Sequence, residues 1–322
     1  MPTPRITVLG SLNIDLVARV PHHPLPGETL TASSFTVSPG GKGANQAVAC
    51  AKLSRSSPPS TLPPSATVSM VGAVGSDSYG TLLRENMTAH GVDVSGVAVR
   101  EGEKTGIAII VVDEPSGENR IVLSGEANHA VTAEGCDLDG VLGRTDLLIM
   151  QLEIPVGTVL AALEGARGKG VEVLFNPAPA QVLPEGWLRG LGHLVVNETE
   201  AALLGGVEVK ILDDEAGCES VARGFVEKGA GNVIITLGGR GVYYMSGEGE
   251  KGLVPAEKAK VVDTTAAGDT FVGMYALEVV RAKGEGREFD VEGAVRKANK
   301  AAARTVEKAG AQDSIPWRDE LV

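Results

Sequence analysis

Features that mark several common classes of protein are scarce in this chain of 322 residues. Its three cysteines, Cys50, Cys136 and Cys218, form neither a Cys-x-x-Cys pair nor a metal-ligand pattern, so reduced thiols are expected. The longest apolar runs fall well short of the roughly 18 residues that a membrane helix needs. Aromatic residues make up only 3% of the chain, which leaves little surface for stacking. A disulfide scaffold, a metal module and a transmembrane protein are therefore not expected.

Positive charge is also in short supply. Asp and Glu number 41 and Lys and Arg number 29, which gives a formal net charge of −12 at pH 7. The resulting field repels polyanions, so neither nucleic acid nor an anionic membrane is an expected partner. Because Arg5 and Asp15 interrupt the first apolar run, residues 1–20 are typical of a strand and not of a signal peptide. We expect a soluble cytoplasmic protein, and a nuclear pool stays open.

Short aliphatic runs, which the chain has in abundance, alternate with amphipathic segments along most of its length. The runs are candidate strands and lie near residues 6–9, 68–71, 147–150, 171–175, 194–196 and 233–237. Amphipathic segments such as 156–167 and 215–228 supply the helical crossovers between parallel strands. We expect one α/β domain over residues 1–322, with a doubly wound, mostly parallel sheet and helices on both faces.

Two regions depart from this alternation and predict a small β-sheet lid at about residues 16–38 and 104–126. Both contain antiparallel strand patterns joined by polar turns. A third region, residues 54–66, is rich in serine and proline and cannot bury apolar surface, which predicts a disordered insertion. A tethering or regulatory linker is the alternative for this segment.

The most informative local motif is Asp-Thr-Thr-Ala-Ala-Gly-Asp at residues 263–269, ahead of a predicted helix. Small side chains at Ala266, Ala267 and Gly268 leave successive N–H groups uncovered at the helix N-terminus, where an anion is favoured. The Asp269 carboxylate repels such an anion, so its presence at this position suggests a function, such as accepting a proton from a hydroxyl nucleophile. A simple helix cap is the alternative role for Asp269.

A second group of polar residues suits a polyol. Residues 10–15 (GSLNID) end the first strand, and residues 40–46 (GGKGANQ) open the next helix. Asp15, Lys42 and Asn45 supply a carboxylate, an ammonium and an amide, which together can bind several hydroxyl groups. The sequence has neither a Walker-type phosphate loop nor a full dinucleotide fingerprint, so a nucleotide has to be held in another way.

Together these motifs resemble those of the ribokinase-type carbohydrate kinase family. The matches follow the family order and are GSLNID at 10–15, GGKGANQA at 40–47, MQLE at 150–153, NETE at 197–200, TLGGRG at 236–241, DTTAAGD at 263–269 and GAQDSIP at 310–316. The resemblance implies ATP-dependent phosphorylation of ribose at its 5-hydroxyl. Fructose, deoxyribose or a nucleoside such as adenosine are alternative acceptors, and a non-catalytic sugar or nucleotide sensor is the alternative from another class.

The resemblance also implies roles for individual residues, a Mg²⁺ ion, an activating K⁺ ion and a homodimer formed through the lid. Asp269 is the expected base, and the backbone of Ala266, Ala267 and Gly268 the expected anion hole. The expected sugar-binding residues are Asn13, Asp15, Gly41, Lys42, Gly43, Asn45, Glu153 and Asp269. The expected ATP-binding residues are Asn197 and Glu200 on the Mg²⁺ side, and Thr236, Gly238, Gly239, Gly241, Gly268 and Asn299. The expected K⁺ site comprises Asp263, Thr265, Thr305, Lys308, Gly310 and Ser314.

Overall fold

The computed structural model describes residues 3–58 and 60–321. Its strands, in chain order, are β1 (Arg5–Leu9), β2 (Asn13–Val20), β3 (Ser34–Gly40), β4 (Thr67–Gly75), β5 (Asp93–Arg100), β6 (Gly106–Asp113), β7 (Asn119–Ser124), β8 (Leu147–Met150), β9 (Glu172–Phe175), β10 (Leu191–Asn197), β11 (Ala230–Thr236), β12 (Val242–Ser246) and β13 (Lys251–Val254). Its α-helices are α1 (Lys42–Ser54), α2 (Ser78–Ala89), α3 (Leu138–Leu142), α4 (Val156–Lys169), α5 (Glu198–Gly205), α6 (Glu215–Glu227), α7 (Ala267–Glu285) and α8 (Val291–Thr305).

The main sheet has nine strands in the order β13-β12-β11-β10-β9-β8-β1-β4-β5. Neighbouring strands from β5 to β11 run parallel, whereas β12 and β13 are added antiparallel at one edge. Sequential strands joined by helices favour this parallel arrangement, because each crossover helix returns the chain to the same end of the sheet. The expected fold class is confirmed.

Helices cover both faces of the main sheet. Strand β8 is buried along its whole length, as expected for a central parallel strand with helices on either side. One core cluster includes Val48 of α1 and Tyr275 of α7, and the other includes Leu163 of α4 and Phe225 of α6. The carboxyl ends of the parallel strands are left at one edge, where open α/β sheets bind their ligands.

The lid is a separate four-stranded sheet in the order β3-β2-β6-β7. Its outer pairs, β2 with β3 and β6 with β7, are antiparallel, as the sequence predicts. Its inner pair, β2 with β6, is parallel. The reason is that β2 follows β1 and β6 follows β5, so both inner strands leave the same edge of the main sheet in the same direction.

The Ser/Pro-rich segment at 54–66 includes Pro59, which lies outside the described residues. The described part is attached near its ends. Ser65 N–H donates to the Ser54 carbonyl at 2.9 Å, and Ser57 N–H donates to Asp319 Oδ1 at 2.9 Å. The disorder of this segment stays a prediction. Across residues 3–58 and 60–321, no helix is long and apolar enough to cross a bilayer.

Candidate active site

Asp269 lies in the first turn of α7 and is buried, with 8% of its surface exposed. Ala266, just before the helix, has a φ of 60°, a left-handed conformation that alanine adopts uncommonly. In the described part of the chain, the N–H groups of Gly268 and Asp269 have no main-chain acceptor, but Ala267 N–H donates to the Thr264 carbonyl at 3.3 Å. The row of uncovered N–H groups is therefore shorter than the sequence predicts, because the turn itself uses one of them.

Helix α1 holds the Asp269 carboxylate with two side-chain amides. Asn45 Nδ2 donates to Oδ2 at 3.1 Å, and Gln46 Nε2 donates to Oδ1 at 3.0 Å. The Gln46 amide is itself oriented, because its Oε1 accepts from Gln151 Nε2 at 2.6 Å and its Nε2 also donates to Asn176 Oδ1 at 3.0 Å. Gln46, Gln151 and Asn176 were not among the predicted site residues, although Gln46 and Gln151 lie within two of the quoted motifs.

Glycine at the start of α1 lets this helix approach the turn after β1. A Cβ at Gly43 would lie 2.5 Å from the Ser11 backbone nitrogen, a distance too short for any side chain at this position. Gly41 has a φ of +87°, and its Cβ would lie 2.6 Å from the Asn13 nitrogen. The expected sugar-binding glycines thus act by bringing α1 and its side chains against β2.

Glu153 links β8 to both of these elements. Its Oε2 accepts from Ser11 Oγ at 2.5 Å, from the Lys42 N–H at 3.0 Å and from Asn13 Nδ2 at 3.4 Å. Asn13 Oδ1 accepts in turn from Asn128 Nδ2 at 2.8 Å. The predicted residues Asn13, Lys42 and Glu153, which are far apart in the sequence, are therefore brought together.

Asn128 was missed by the sequence analysis. It lies in a 3-10 helix, Glu126–Ala130, and is 1% exposed. Its side chain bonds both polar groups of Leu12, accepting from the N–H at 2.9 Å and donating to the carbonyl at 3.1 Å. It therefore fixes the chain between the main sheet and the lid. A single buried amide in an irregular segment has no periodic signal that could have revealed it.

Four carboxylates and one ammonium determine the electrostatics of the site. Burial, together with the negative charges of Glu153 and Asp269, raises the pKa of Asp15 to about 7. Burial alone would lower the pKa of the Lys42 ammonium, but the charges of Asp269, Glu153 and Glu200 outweigh it and raise that pKa. Lys42 is therefore a permanent positive charge in a cluster of acids, suited to meet an anionic ligand.

Asn197 and Glu200 form a capping box at the start of α5. Asn197 Oδ1 accepts from Glu200 N–H at 2.8 Å, and Glu200 Oε2 accepts from Asn197 N–H at 2.9 Å. Burial raises the pKa of the Glu200 carboxyl, and nearby Lys42 opposes the rise. Glu200, Lys42, Gly268 and Asp269 all line one cavity of about 250 Å³. The helix cap thus leaves this carboxylate facing the space next to the candidate base.

A second cavity, of about 530 Å³, adjoins the first and shares Thr236, Thr264 and Gly268 with it. All of the residues predicted on the nucleotide side beyond the phosphates line it, namely Thr236, Gly238, Gly239, Gly241, Gly268 and Asn299. Asn299 Nδ2 donates to the Pro255 carbonyl at 2.7 Å. Because they share these lining residues, the two neighbouring cavities are placed to hold an elongated ligand whose one end reaches Asp269.

The residues predicted for a monovalent cation are only partly brought together by side-chain contacts. Asp263 Oδ1 accepts from Thr265 N–H and Oγ1, and its Oδ2 accepts from Gly310 N–H at 3.0 Å. Buried Thr305 bonds Thr270 instead, and the Lys308 ammonium reaches Glu320. The hydroxyl of Ser314 bonds the Ala311 carbonyl. Among residues 3–58 and 60–321, no three His, Cys, Asp or Glu side chains cluster as metal ligands.

A buried carboxylate at a helix N-terminus, set between a cluster of polar side chains and a glycine-lined cavity, is typical of small-molecule kinases that phosphorylate an alcohol. The sequence pattern of the pfkB family carbohydrate kinases matches residues 3–318. The chain belongs to this family.

Similar proteins agree over nearly the full length. The chain is 43% identical to a ribokinase of Schizosaccharomyces pombe, covering 97% of this chain and 94% of the relative. It is 40% identical to a ribokinase of Haemophilus influenzae, covering 98% and 97%. Among solved structures, Arabidopsis thaliana ribokinase complexed with ribose and ATP superposes with a TM-score of 0.85 at 28% identity, covering 99% of this chain and 98% of that one.

Proposed function

We propose that this chain transfers the γ-phosphoryl group of ATP to the 5-hydroxyl of D-ribose, giving ribose 5-phosphate and ADP. The observation that carries the proposal is the position of Asp269. Its carboxylate contacts Asn45 on the sugar side and lines the same cavity as Lys42, Glu200 and Gly268. The identity to two ribokinases over almost the whole chain supports ribose as the acceptor.

In the proposed mechanism, Asp269 accepts the proton of the 5-hydroxyl as its oxygen attacks the γ-phosphorus. The Asn45 and Gln46 amides keep one lone pair of each carboxylate oxygen occupied, which leaves others free for the hydroxyl. The N–H groups of Gly268 and Asp269 and the Lys42 ammonium stabilise the negative charge on the transferred group. Catalysis then comes mainly from positioning and charge.

Ribose is proposed to lie between the lid and α1. The side chains of Asn13, Asp15 and Glu153 offer hydrogen-bond acceptors, and Asn45 and Lys42 offer donors. Gly41 and Gly43 contribute close backbone approach. Such a set suits a sugar that presents several hydroxyl groups in fixed directions.

ATP is proposed to bind with its phosphates in the smaller cavity and its nucleoside in the larger one, near Thr236, Gly239 and Asn299. Mg²⁺ fits the acidic end of the smaller cavity, because Glu200 supplies a hard oxygen there, reached largely through water. When bound, Mg²⁺ supplies charge neutralisation to the phosphates. Asn197 orients Glu200 through the capping box.

A K⁺ ion is proposed to bind beside this site, held by Asp263, Thr265 and the backbone of the C-terminal segment that contains Gly310. The donor set fits such an ion, since carboxylate, hydroxyl and carbonyl oxygens are its preferred partners. In the described structure Asp263 already joins the turn before α7 to Gly310. Ordering this turn would fix the N–H groups of the anion hole.

A homodimer through the lid is also proposed. Strand register places Val37, Leu16, Ile109 and Val122 side by side on the face of the lid opposite to Asp15. Of these, Val37, Ile109 and Val122 are 45%, 49% and 64% exposed, an apolar surface typical of an interface. Light scattering on the native chain and on Val122→Asp tests this.

A cytoplasmic location is proposed as well, because the free cysteines are consistent with a reducing compartment. Imaging of the chain in cells tests this location and tests for a nuclear pool.

The proposed function is tested by measuring ATP consumption with ribose, deoxyribose, fructose and adenosine, each with and without K⁺. The expected result is the highest kcat/KM with ribose. A clear preference for another acceptor would reassign the substrate within the family. No ATP-dependent turnover with any acceptor, from a folded protein, would contradict the kinase function and favour a sensor.

A further inference from the structure

The amide of Asn45, which holds the candidate base, is itself held from the far end of the chain. Asn45 Oδ1 accepts from Gln312 Nε2 at 3.0 Å, while Asn45 Nδ2 donates to Asp269 Oδ2 at 3.1 Å. A rotated Asn45 amide would turn its oxygen toward the carboxylate and its nitrogen toward another donor. Both contacts would become repulsive, so Gln312 determines which way the Asn45 amide faces.

Gln312 is fixed by two further contacts, from the half-buried Asn86 and the buried Lys52. Asn86 Nδ2 of α2 donates to Gln312 Oε1 at 2.5 Å, and Lys52 Nζ of α1 donates to the Gln312 main-chain carbonyl at 3.2 Å. Asn45, Lys52 and Gln312 are 6%, 4% and 2% exposed. Because residues seven positions apart lie on one face of a helix, α1 contacts the C-terminal segment twice, once through Asn45 and once through Lys52.

Lys52 is an unusual residue for this place. Its ammonium faces a carbonyl oxygen and, 5.3 Å from the ring centroid, the side chain of Trp317, with no carboxylate within salt-bridge distance in the described part of the chain. Burial lowers its pKa to about 8, a sign that the charged form is held at a cost in free energy. The cost of burying the Lys52 ammonium is explained if its contact with the Gln312 carbonyl is needed to keep Gln312 in place.

We propose that Gln312, anchored by Lys52 and Asn86, is a positioning residue that fixes the Asn45 amide against Asp269. The inference rests on the role of Asp269 as the base in the proposed function. It makes the C-terminal segment around Gln312 a determinant of the catalytic rate, although it touches neither sugar nor ATP.

The first test is Gln312→Met, which keeps the length of the side chain but removes its donor and acceptor. We expect kcat to fall about tenfold or more, since small displacements of a catalytic group cost this much, while the KM for ATP is unchanged. Gln181→Met, at an exposed position, is the matched control and leaves kcat unchanged. An unchanged kcat in Gln312→Met would overturn the proposal.

A double-mutant cycle separates positioning from a general structural effect. If Gln312 acts through Asp269, adding Gln312→Met to Asp269→Asn causes little further loss of kcat. If the loss is the same with either residue at position 269, Gln312 acts elsewhere and the proposal is wrong. A crystal structure of Gln312→Met gives a readout that needs no turnover, since the Asn45–Asp269 contact is expected to lengthen or break. Should the native chain phosphorylate no sugar, the proposed function fails, and this structure still decides the positioning role.

Lys52→Met tests the other anchor, with exposed Lys300→Met as its control. We expect kcat to fall while the unfolding temperature does not, because the variant removes a buried charge that is costly to the fold. A fall in unfolding temperature with kcat preserved would assign Lys52 a purely structural role and exclude it from the proposed positioning of Asn45 by Gln312.

Discussion

The carboxylate of Asp15 occupies the space in which a side chain at Gly40 would begin. The two residues lie on the paired lid strands β2 and β3, and a Cβ built on Gly40 would be 2.2–2.4 Å from all three carboxyl atoms of Asp15. No real contact is this short. Gly40 therefore supports the proposed sugar site, because it leaves room for the Asp15 carboxylate.

We predict that Gly40→Ala impairs ribose binding more than it impairs folding. The new methyl group forces the Asp15 side chain to another rotamer, which removes one acceptor for the sugar. The KM for ribose should rise about tenfold or more, in line with the loss of a hydrogen bond to a charged group. Steady-state kinetics measure this, and Gly168→Ala, at an exposed position of α4 where nothing lies within 4 Å, serves as a control. An unchanged KM would show that Asp15 does not contact the sugar.

The raised pKa of Asp15 predicts a pH-dependent cost to stability. In the fold the pKa is about 7, whereas the ordinary value is 3.8, so the fold favours the protonated form. The stabilisation is complete below pH 4 and is lost as pH rises through 7. Asp15→Asn should therefore stabilise the ligand-free protein at pH 8, by at most about 4 kcal/mol, and much less at pH 5. Chemical denaturation at both pH values measures the difference. Equal effects at the two pH values would contradict the shifted pKa.

Replacement of the candidate base separates chemistry from binding. Asp269→Asn keeps the shape and one of the two contacts with α1, since its NH₂ group replaces one of the two accepting oxygens, and the amide cannot accept the hydroxyl proton. We expect kcat to fall about a thousandfold, within the usual range for a general base, with ATP affinity retained. Single-turnover kinetics and calorimetric titration with ATP give the two quantities. Near-normal turnover would remove Asp269 from the role of base.

The proposed cation site predicts activation by K⁺. Activity should rise with K⁺ relative to a large inert cation such as choline, because K⁺ is proposed to order the turn that precedes α7 and Gly268. Asp263→Asn weakens the hold on Thr265 and Gly310 and should blunt this response. Initial rates at constant ionic strength measure it. A flat response in the native chain would discard the site.

Ala266 offers a test of backbone strain. Its φ of 60° costs an ordinary residue about 1 kcal/mol, and glycine avoids this cost. We expect Ala266→Gly to change the free energy of unfolding by less than about 1 kcal/mol, since its gain is offset by the entropy of glycine. Ala266→Val should lower it by about 2 kcal/mol and lower kcat as well, because a β-branched residue resists this conformation. Equal behaviour of the two variants would exclude strain at this turn.

The sequence was sufficient to predict six adjacent strands of the main sheet, from β11 to β4, because apolar runs and amphipathic segments alternate over most of the chain. The edge strands β5, β12 and β13 were not among the predicted strands. Residues of the candidate site were also brought together as expected, with Asp269 near Asn45 and Glu153 near Asn13. What the sequence could not predict depends on the path of the chain in space. The parallel pairing of β2 with β6 follows from where both strands leave the main sheet. Asn128, Asn86 and Gln312 act through contacts with residues far away in the chain, which no local pattern encodes.

In the proposed function, helix α1 serves the acceptor and the base at once, since Lys42 and Asn45 are proposed to bind the sugar while Asn45 and Gln46 hydrogen-bond to Asp269. This shared support restricts how the enzyme can be re-engineered. Substitutions on α1 that change acceptor preference will also disturb proton removal, so gains in selectivity there come with slower turnover. In the same proposal, the strands of the lid contact the sugar but do not hold the base, so directed evolution toward new sugars should begin with those strands.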